Sequence, residues 1–272
     1  MGLVYATHSP SAHDDNLLRL LLSTFRDGSG IEREPDNSTR ANWRQMERCV
    51  AELLDSIGGE DKQIFDVIAL DKADPTTAYG FSIKSKVLSK KDFDRLSDGA
   101  RVYMEIANSP AKFWSAIKSS HGLTENDFTH MRHPQEVGNT VIDLVSTWHS
   151  QGKDDFEVSQ HGKRLDLTNS RYLCISLSNE LPSARRYQVH AFSLNYPPTL
   201  TWRYKSPRCL SAYEPSDPDR PLLDWYGLSG GQLKYYPRAV DAVYHSSVLT
   251  LVEPSRKFSI QDKARQLFPD HF

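Results

Sequence analysis

The pattern of hydrophobic and polar positions predicts two helices in the first part of the chain. Leucines recur at helical spacing in DDNLLRLLLSTFRDG, residues 14–28, and a polar, turn-rich segment, 28–42, follows. The next segment, NWRQMERCVAELL at 42–54, gathers its apolar residues on one helical face, with Ser38 and Thr39 as candidate caps before it. The pattern therefore predicts a helix, a polar loop and a second, strongly amphipathic helix.

A β-hairpin is predicted after these helices. QIFDVIAL, residues 63–70, is apolar and β-branched, and AYGFSIKSKVL, residues 78–88, alternates as a strand does. Between them lies DKADPTT, whose Asp-Pro pair is typical of a turn. The two segments are therefore expected to pair as neighbouring strands.

The rest of the chain predicts one more helix and several strands. The segment 97–120 is predicted to be helical, with Pro110 kinking or dividing the helix. The proline- and glycine-rich segment 204–232 is predicted to be a long, ordered loop. Strands are predicted at 170–178, 187–196 and 243–252. These elements indicate an α/β fold in which a mixed β-sheet, beginning near residue 40, is flanked by helices.

Length and composition are those of a globular protein. The 272 residues suffice for one large domain, which we assign to 38–272, with 1–37 as an N-terminal helix and polar loop. Hydrophobic residues make up 38% of the chain and charged residues 25%, and no apolar run approaches the ~18 residues of a membrane span. The cysteines are three in number and widely spaced, which favours a reducing cytoplasm.

The charge distribution bears on nucleic-acid binding. A formal net charge of −2 argues against a protein held on nucleic acid by bulk electrostatics alone, but it allows a sequence-specific nuclease with a local basic cleft. The basic residues gather in three short clusters: Lys84, Lys86, Lys90, Lys91 and Arg95; Arg185 and Arg186; and Arg203, Lys205 and Arg208. Taken singly, each cluster is more typical of a solvated face than of a phosphate track.

The hairpin carries a candidate catalytic group. Phosphodiester hydrolysis needs a metal held by oxygen ligands, an attacking water, and a cation near the developing negative charge. Ser82 and Lys84 are two residues apart on one strand and therefore share a face, so Lys84 can stand beside an ion held by Asp66. A second acid is missing from the hairpin, and Glu105, on the predicted helix that follows, is the candidate to supply it.

Asp66, the Ser-Ile-Lys of residues 82–84 and Glu105 resemble the active site of the PD-(D/E)XK nuclease superfamily. The match is to the permuted form found among type II restriction endonucleases, in which Ser-x-Lys replaces the usual acid-x-Lys. The helix at 42–54 is similar to the first core helix of that fold, where Glu47 or Glu52 would supply a further carboxylate that orients the ligands.

The resemblance implies a restriction-endonuclease-like core over about residues 40–118, with DNA-recognition strands and loops over about 119–272. It implies a type II site-specific deoxyribonuclease that needs Mg²⁺ and acts on double-stranded DNA, as a homodimer on a palindromic site. Asp66, Ser82, Lys84 and Glu105 would form the catalytic site, and Asp66 and Glu105 would hold the metal.

Recognition of the DNA sequence is expected mainly from residues after 108. Asn and Lys side chains can hydrogen-bond base edges in the major groove, and Arg and Lys contact phosphates. An equally good interpretation of Asn108 and Ser109 is that they end one element before Pro110. The residues predicted to contact DNA are Lys86, Asn108, Ser109, Lys112, Arg185, Arg186, Arg203 and Lys205.

Two other functions are compatible with the sequence. One is a noncatalytic module that binds DNA or a protein partner through the basic clusters and exposed aromatic residues of the second half. The other is a repair or junction-resolving nuclease on the same fold. If the hairpin carries no function at all, Asp66 would cap a turn, Lys84 and Lys86 would lie on the wet face of an edge strand, and Glu105 would be exposed.

Three further motifs are weaker. His121, His130 and His133 match no common zinc signature and are expected to be exposed to solvent. The Gly-Gly pair of LSGGQ is expected in a turn, and Cys174 is expected in the core.

Overall fold

The computed structural model describes residues 2–57, 64–257 and 260–272. Its α-helices are α1 Ala12–Thr24, α2 Trp43–Leu54, α3 Lys90–Asp94, α4 Pro110–His121, α5 Glu125–Thr129, α6 Pro134–Ser159 and α7 Ile260–Leu267. Its strands are β1 Glu32–Arg33, β2 Thr39–Arg40, β3 Val67–Leu70, β4 Thr77–Leu88, β5 Met104–Asn108, β6 Arg164–Leu165, β7 Arg171–Ser178, β8 Arg186–Ser193, β9 Thr201–Ser206, β10 Cys209–Tyr213, β11 Leu223–Tyr226, β12 Gln232–Tyr235, β13 Tyr244–His245 and β14 Leu249–Thr250.

The main sheet is mixed and confirms the predicted fold class. Its strands lie in the order β13-β8-β7-β4-β3, with β14 beside β8 and β6 beside β4. The predicted hairpin is present, because β3 and β4 pair antiparallel with Val67 opposite Phe81. β7 then pairs parallel to β4, which requires a long crossover, and α6 lies within that crossover. Helices flank this sheet, as the hydrophobic pattern predicts.

A second, antiparallel sheet has the order β5-β12-β11-β10-β9. It corrects two predictions. The segment 97–120 is not one helix, because Met104 and Ile106 alternate inward along β5 while Pro110 begins α4, at a position where a missing N–H costs nothing. The segment 204–232 is not a loop but most of a β-meander, whose prolines lie between the strands and whose inward positions include Leu210 and Trp225.

The side-chain alternation along β4 separates two hydrophobic cores. Tyr79, Phe81 and Ile83 point to the face of the main sheet covered by α1 and α2, which we call the back face. Ala78 points to the opposite, front face, where α4, α6 and the second sheet pack. Ser82 and Lys84 share the parity of Ala78 and therefore belong to the front face. The main sheet is thus covered on both faces, and the front face is polar at Ser82 and Lys84.

The N-terminal segment belongs to the same body as the rest of the chain. Leu3, Leu18 and Leu22 are buried in the back core, so residues before 38 are an integral part of the fold rather than an attachment to it. The segment around β14 contacts α1: Asp15 Oδ2 accepts a hydrogen bond from the backbone N–H of Ser247 at 2.8 Å. Arg26 likewise forms an ion pair with Glu253.

The long helix α6 is absent from the sequence prediction. Its buried positions recur every three or four residues and include Val137, Val141, Val145 and Phe156, which is the signal that identifies it. Gly138 allows close contact with the second sheet, because a Cβ atom there would lie 2.0 Å from Trp202 Cδ2. Within the described ranges, no helix has the length and apolar character needed to cross a membrane.

Candidate active site

Asp66 and Lys84 form an ion pair on the front face of the main sheet. Lys84 Nζ donates to Asp66 Oδ2 at 2.9 Å and to the Ile83 carbonyl oxygen at 3.0 Å. The same Asp66 oxygen accepts the backbone N–H of Ile83 at 2.6 Å and the Ser82 hydroxyl at 3.4 Å. Both charged side chains keep about a quarter of their surface exposed, 25% for Asp66 and 24% for Lys84. The pair is therefore held in place and still accessible from solvent.

The local backbone explains this arrangement. Asp66 directly precedes β3 rather than lying inside a buried strand, and its backbone N–H donates to the Phe81 carbonyl at 2.9 Å. This bond sets Asp66 beside Ser82 and turns its carboxylate towards β4. Gly80 leaves room for the ring of Phe65, because a Cβ atom at position 80 would lie 2.6 Å from that ring. Phe65 can thus pack closely against β4, directly before Asp66.

The ion pair lines an open cleft of about 520 Å³. One wall is the end of the β3–β4 hairpin, the second is the junction between β5 and α4, and the third is the middle of α6. The lining residues are Ile64, Asp66, Ser82, Lys84, Ile106, Ala107, Asn108, Ser109, Lys112, Trp148, Gln151, Gly152 and Asp155. The cleft therefore gathers three segments that lie far apart in sequence, two of which were predicted to carry function.

The third wall supplies a carboxylate that the sequence interpretation missed. Asp155 and Gln151 are exposed on α6, one helical turn apart, and both line the cleft with Trp148. Gly152 lies between these two residues and allows α6 to approach the start of the hairpin closely, because a Cβ atom at position 152 would lie 2.9 Å from Ile64 Cγ2. An acid at this position could have been found only after α6 had been recognised as a helix with one face towards the hairpin.

Glu105 occupies a different place from the one expected. It lies on β5, not on a helix, and it is absent from the residues that line the cleft. Its cross-strand partner is Lys234 on β12, and its carboxylate accepts from Asn108 Nδ2 at 3.4 Å. Glu47 and Glu52 lie on α2, which packs on the back face of the sheet, whereas Asp66 and Lys84 open to the front.

The residues predicted to contact DNA fall into two groups. Asn108, Ser109 and Lys112, at the start of α4, line the cleft as the prediction requires. Arg185 and Arg186, by contrast, are engaged in ion pairs within the fold, Arg185 with Glu34 and Arg186 with Glu180 at 2.7 Å and Asp94 at 2.6 Å. These two arginines therefore stabilise the beginning of β8, where acidic side chains already balance their charges.

The remaining predicted contacts lie outside the cleft. Arg203 stacks over the ring of Tyr213, with the guanidinium carbon 3.9 Å from the ring centroid. Lys205 Nζ lies 3.9 Å from Asp224 Oδ2. Arg203 and Lys205 both lie on β9, on the outer face of the second sheet. Lys86 lies on β4, two residues after Lys84, and does not line the cleft.

The weaker motifs behave as predicted. His121, His130 and His133 are exposed, and Gly230 and Gly231 both have positive φ, 79° and 60°, in the turn between β11 and β12. Cys174 is fully buried, and this burial raises the pKa of its thiol to about 12. A thiol in that state is a core group and not a nucleophile.

Two other histidines, His149 and His190, are buried in the front core. Burial lowers the pKa of each to about 4, and for His190 the neighbouring His245 adds to the effect. His149 Nε2 lies 3.2 Å from the Tyr172 hydroxyl, and its ring stacks on Phe65 with centroids 5.8 Å apart. Because Phe65 adjoins Asp66, a neutral His149 supports the inner end of the cleft.

The donor set of the cleft fits a hard divalent cation. Mg²⁺ is usually bound through one or two carboxylates, with water and substrate phosphate completing its shell. Asp66 and Asp155 are the carboxylates of the cleft, and among described residues Asp66 Oδ1 has no hydrogen-bond partner. Over the described ranges, no group of three or more His, Cys, Asp or Glu side chains is arranged to enclose a metal. A cation here would therefore depend on water or phosphate oxygens for most of its shell.

Comparisons of the chain with protein-family models, with curated proteins and with solved structures yielded no match.

Proposed function

We propose that the chain is a metal-dependent endonuclease that hydrolyses phosphodiester bonds in double-stranded DNA. The observation that carries the proposal is the Asp66–Lys84 pair, 2.9 Å apart, at the base of an open polar cleft. A lysine held by one carboxylate oxygen, with a second carboxylate across the cleft, is the group of charges that hydrolysis of a phosphodiester requires.

Lys84 is the residue assigned to charge stabilisation. During hydrolysis a water molecule loses a proton as its oxygen bonds to phosphorus, the bond from phosphorus to a sugar oxygen breaks, and that leaving oxygen takes up a proton. Negative charge on the phosphate oxygens is stabilised by a nearby donor. The Lys84 ammonium has three N–H groups, two of which point to Asp66 and the Ile83 carbonyl, so one can donate to the phosphate.

Asp66 and Asp155 are assigned to the cation. A divalent ion held by these carboxylates would supply Lewis-acid stabilisation of the phosphate charge. Asp66 has a further role towards Lys84, because its Oδ2 holds the ammonium while Oδ1 has no described partner. Ser82, 3.4 Å from the same carboxylate, orients it from the neighbouring strand position.

The rim of the cleft suits a nucleic-acid backbone. Lys112 is exposed in the first turn of α4, next to Asn108 and Ser109. The Ser109 side chain makes no capping hydrogen bond, so the first N–H groups of α4 have no side-chain acceptor from it. Phosphate contacts commonly combine such backbone N–H groups with lysine, and they position a duplex without reading its sequence.

Cleavage of supercoiled plasmid and phage genomic DNA tests the proposal. The full chain should produce cleavage with Mg²⁺ and none with a chelator, and discrete fragments would indicate a sequence-specific enzyme. Lys84→Met should remove cleavage, whereas Lys72→Met, in the turn at the far end of the hairpin, should leave it intact. Full activity of Lys84→Met would refute the assigned site. Specific DNA binding without any cleavage by the wild-type chain would instead make the protein a noncatalytic binding module.

A further inference from the structure

A pair of lysines extends the cleft along the main sheet and onto the second sheet. Lys86 Nζ lies 4.3 Å from the ring centroid of Tyr103, and Lys234 Nζ lies 5.6 Å from the same centroid. Lys234 also lies 4.3 Å from the ring centroid of Tyr226. We call these four residues, Lys86, Tyr103, Tyr226 and Lys234, the two-lysine surface. Both ammonium groups thus lie near one tyrosine ring.

Neither lysine of the two-lysine surface forms an ion pair with another described residue. Lys234 lies between two cross-strand carboxylates, Glu105 on β5 and Asp224 on β11, whereas Lys86 on β4 has Ser176 as its cross-strand neighbour. The tyrosine rings attract the ammonium groups weakly, by ~0.5–1 kcal/mol for an exposed contact. They do not neutralise the charge, so each lysine can still donate to an anion.

The two-lysine surface is continuous with the cleft. Lys84 and Lys86 are two residues apart on β4 and project from the same face, about 7 Å apart along the strand. Tyr103 precedes β5, and the residues from Ile106 to Ser109 at the other end of that strand line the cleft. An elongated ligand that reaches Lys84 and follows β4 therefore meets Lys86 next, and Lys234 lies near the same tyrosine ring as Lys86.

We propose that the two-lysine surface binds the phosphates that flank the scissile one on the same nucleic-acid strand, without reading its bases. This inference rests on the proposed function, because it takes Lys84 as the residue at the cleaved phosphate. The ligand is a polyanion whose charges repeat along its length, which matches the repeated cations Lys84 and Lys86 on β4, with Lys234 on β12 near them. Tyr103 is a positioning residue, since both ammonium groups lie near its ring.

Salt-dependent DNA binding provides the test. The full chain is made as Asp66→Asn to prevent cleavage, and its affinity for a fluorescent 30-base-pair duplex is measured between about 50 and 200 mM salt, a range over which phosphate contacts dominate the change. Each lysine that contacts a phosphate contributes a slope of about −0.9 in log K against log salt. Lys86→Gln and Lys234→Gln should each reduce the slope by about one, and the double variant by about two.

The controls separate binding from folding. Lys72→Gln should leave the slope unchanged, because it lies in the turn at the far end of the β3–β4 hairpin. Tyr103→Phe should keep the slope of the parent, whereas Tyr103→Leu should lower the affinity, since both lysines contact the aromatic ring of Tyr103. Unfolding midpoints should be the same for all lysine variants.

The outcomes distinguish this inference from the proposed function. Unchanged slopes in both lysine variants, with cleavage present in the wild-type chain, would overturn the two-lysine surface alone. Reduced slopes in a chain that never cleaves DNA would support the surface and remove the nuclease. Failure of the parent chain to bind the duplex at low salt would overturn both.

Discussion

One oxygen of Asp66 binds both the side chain and the backbone of its neighbouring strand: Oδ2 lies 2.9 Å from Lys84 Nζ and 2.6 Å from the Ile83 nitrogen. The backbone bond does not depend on the lysine. Removal of Lys84 should therefore leave the carboxylate in position, so the chemical and structural effects of this pair can be separated.

Lys84→Met should lower kcat/KM for DNA cleavage by ~10²-fold or more, because it removes a preorganised donor to the phosphate. The free energy of unfolding should change by less than ~1 kcal/mol, since a partly exposed ion pair contributes little to stability. Cleavage kinetics and urea unfolding of the same preparation check both values. A variant that loses activity only in proportion to folded protein would show that the lysine is structural.

Asp155 and Glu105 offer a direct comparison between two candidate acids. Asp155→Asn should reduce cleavage by ~10²-fold, because the residue lines the cleft, whereas Glu105→Gln should stay close to wild type. The measurement is the single-turnover cleavage rate at several Mg²⁺ concentrations, and Asp155→Asn should also shift the midpoint to higher Mg²⁺. The opposite ranking of the two variants would restore Glu105 as the second acid.

Asn108→Ala should cost ~1–3 kcal/mol of binding on the cognate site, with little effect on nonspecific DNA, if the amide reads a base edge. Asn108 is exposed at the cleft, where its only described side-chain contact is the one with Glu105 at 3.4 Å. Competition binding with cognate and scrambled duplexes measures the difference. Lower thermal stability with discrimination unchanged would assign Asn108 to the β5–α4 junction.

The folded protein should lose stability as the pH falls from about 6.5 to about 4. Burial lowers the pKa of His149 and of His190 from 6.5 to about 4, so in this window the unfolded chain binds protons that the folded chain does not. The loss is at most ~3 kcal/mol for each histidine at the low end, and none arises above pH 7. Urea unfolding at pH 7 and pH 4.5 measures it.

His190→Leu should reduce this acid sensitivity, because its Nδ1 has no partner among the described atoms and the ring is buried. The exposed His161 provides a control, and His161→Gln should leave the pH dependence unchanged. An equal loss in wild type and His190→Leu would mean that this histidine does not couple protonation to folding.

The sequence predicted the hairpin and the shared face of Ser82 and Lys84, but it did not predict the helix that packs opposite them. Asp66, Ser82 and Lys84 are close in sequence, and strand periodicity alone places Ser82 and Lys84 on one face. Asp155 is distant in sequence from the hairpin. It reaches the cleft because α6, which follows β4 and precedes β7 in the chain, packs on the front face of the sheet. Periodicity within one element cannot specify which other element will pack against it.

Glu105 shows how a short apolar segment misleads. Val102, Met104 and Ile106 alternate around it, which fits a strand, yet Pro110 and the helical residues after it favoured one longer helix. The strand is stabilised by its pairing with β12, more than 120 residues later. The local sequence pattern could not predict a pairing between segments so far apart in the chain. For the same reason it did not predict the meander of β9 to β12, whose sheet includes β5.

The contact between α1 and the residues that flank β14 has a consequence for folding during synthesis. Asp15 bonds Ser247 across a separation of 232 residues, and Ser23 Oγ accepts from the backbone N–H of Val252 at 3.0 Å across 229. Helix α1 can therefore complete its contacts only after the residues up to Val252 have been synthesised and have left the ribosome. Contacts of such long range form slowly, and the groups that they cover stay exposed until they close. Nascent chains halted before residue 247 should consequently be more sensitive to protease and more dependent on chaperones than the full chain.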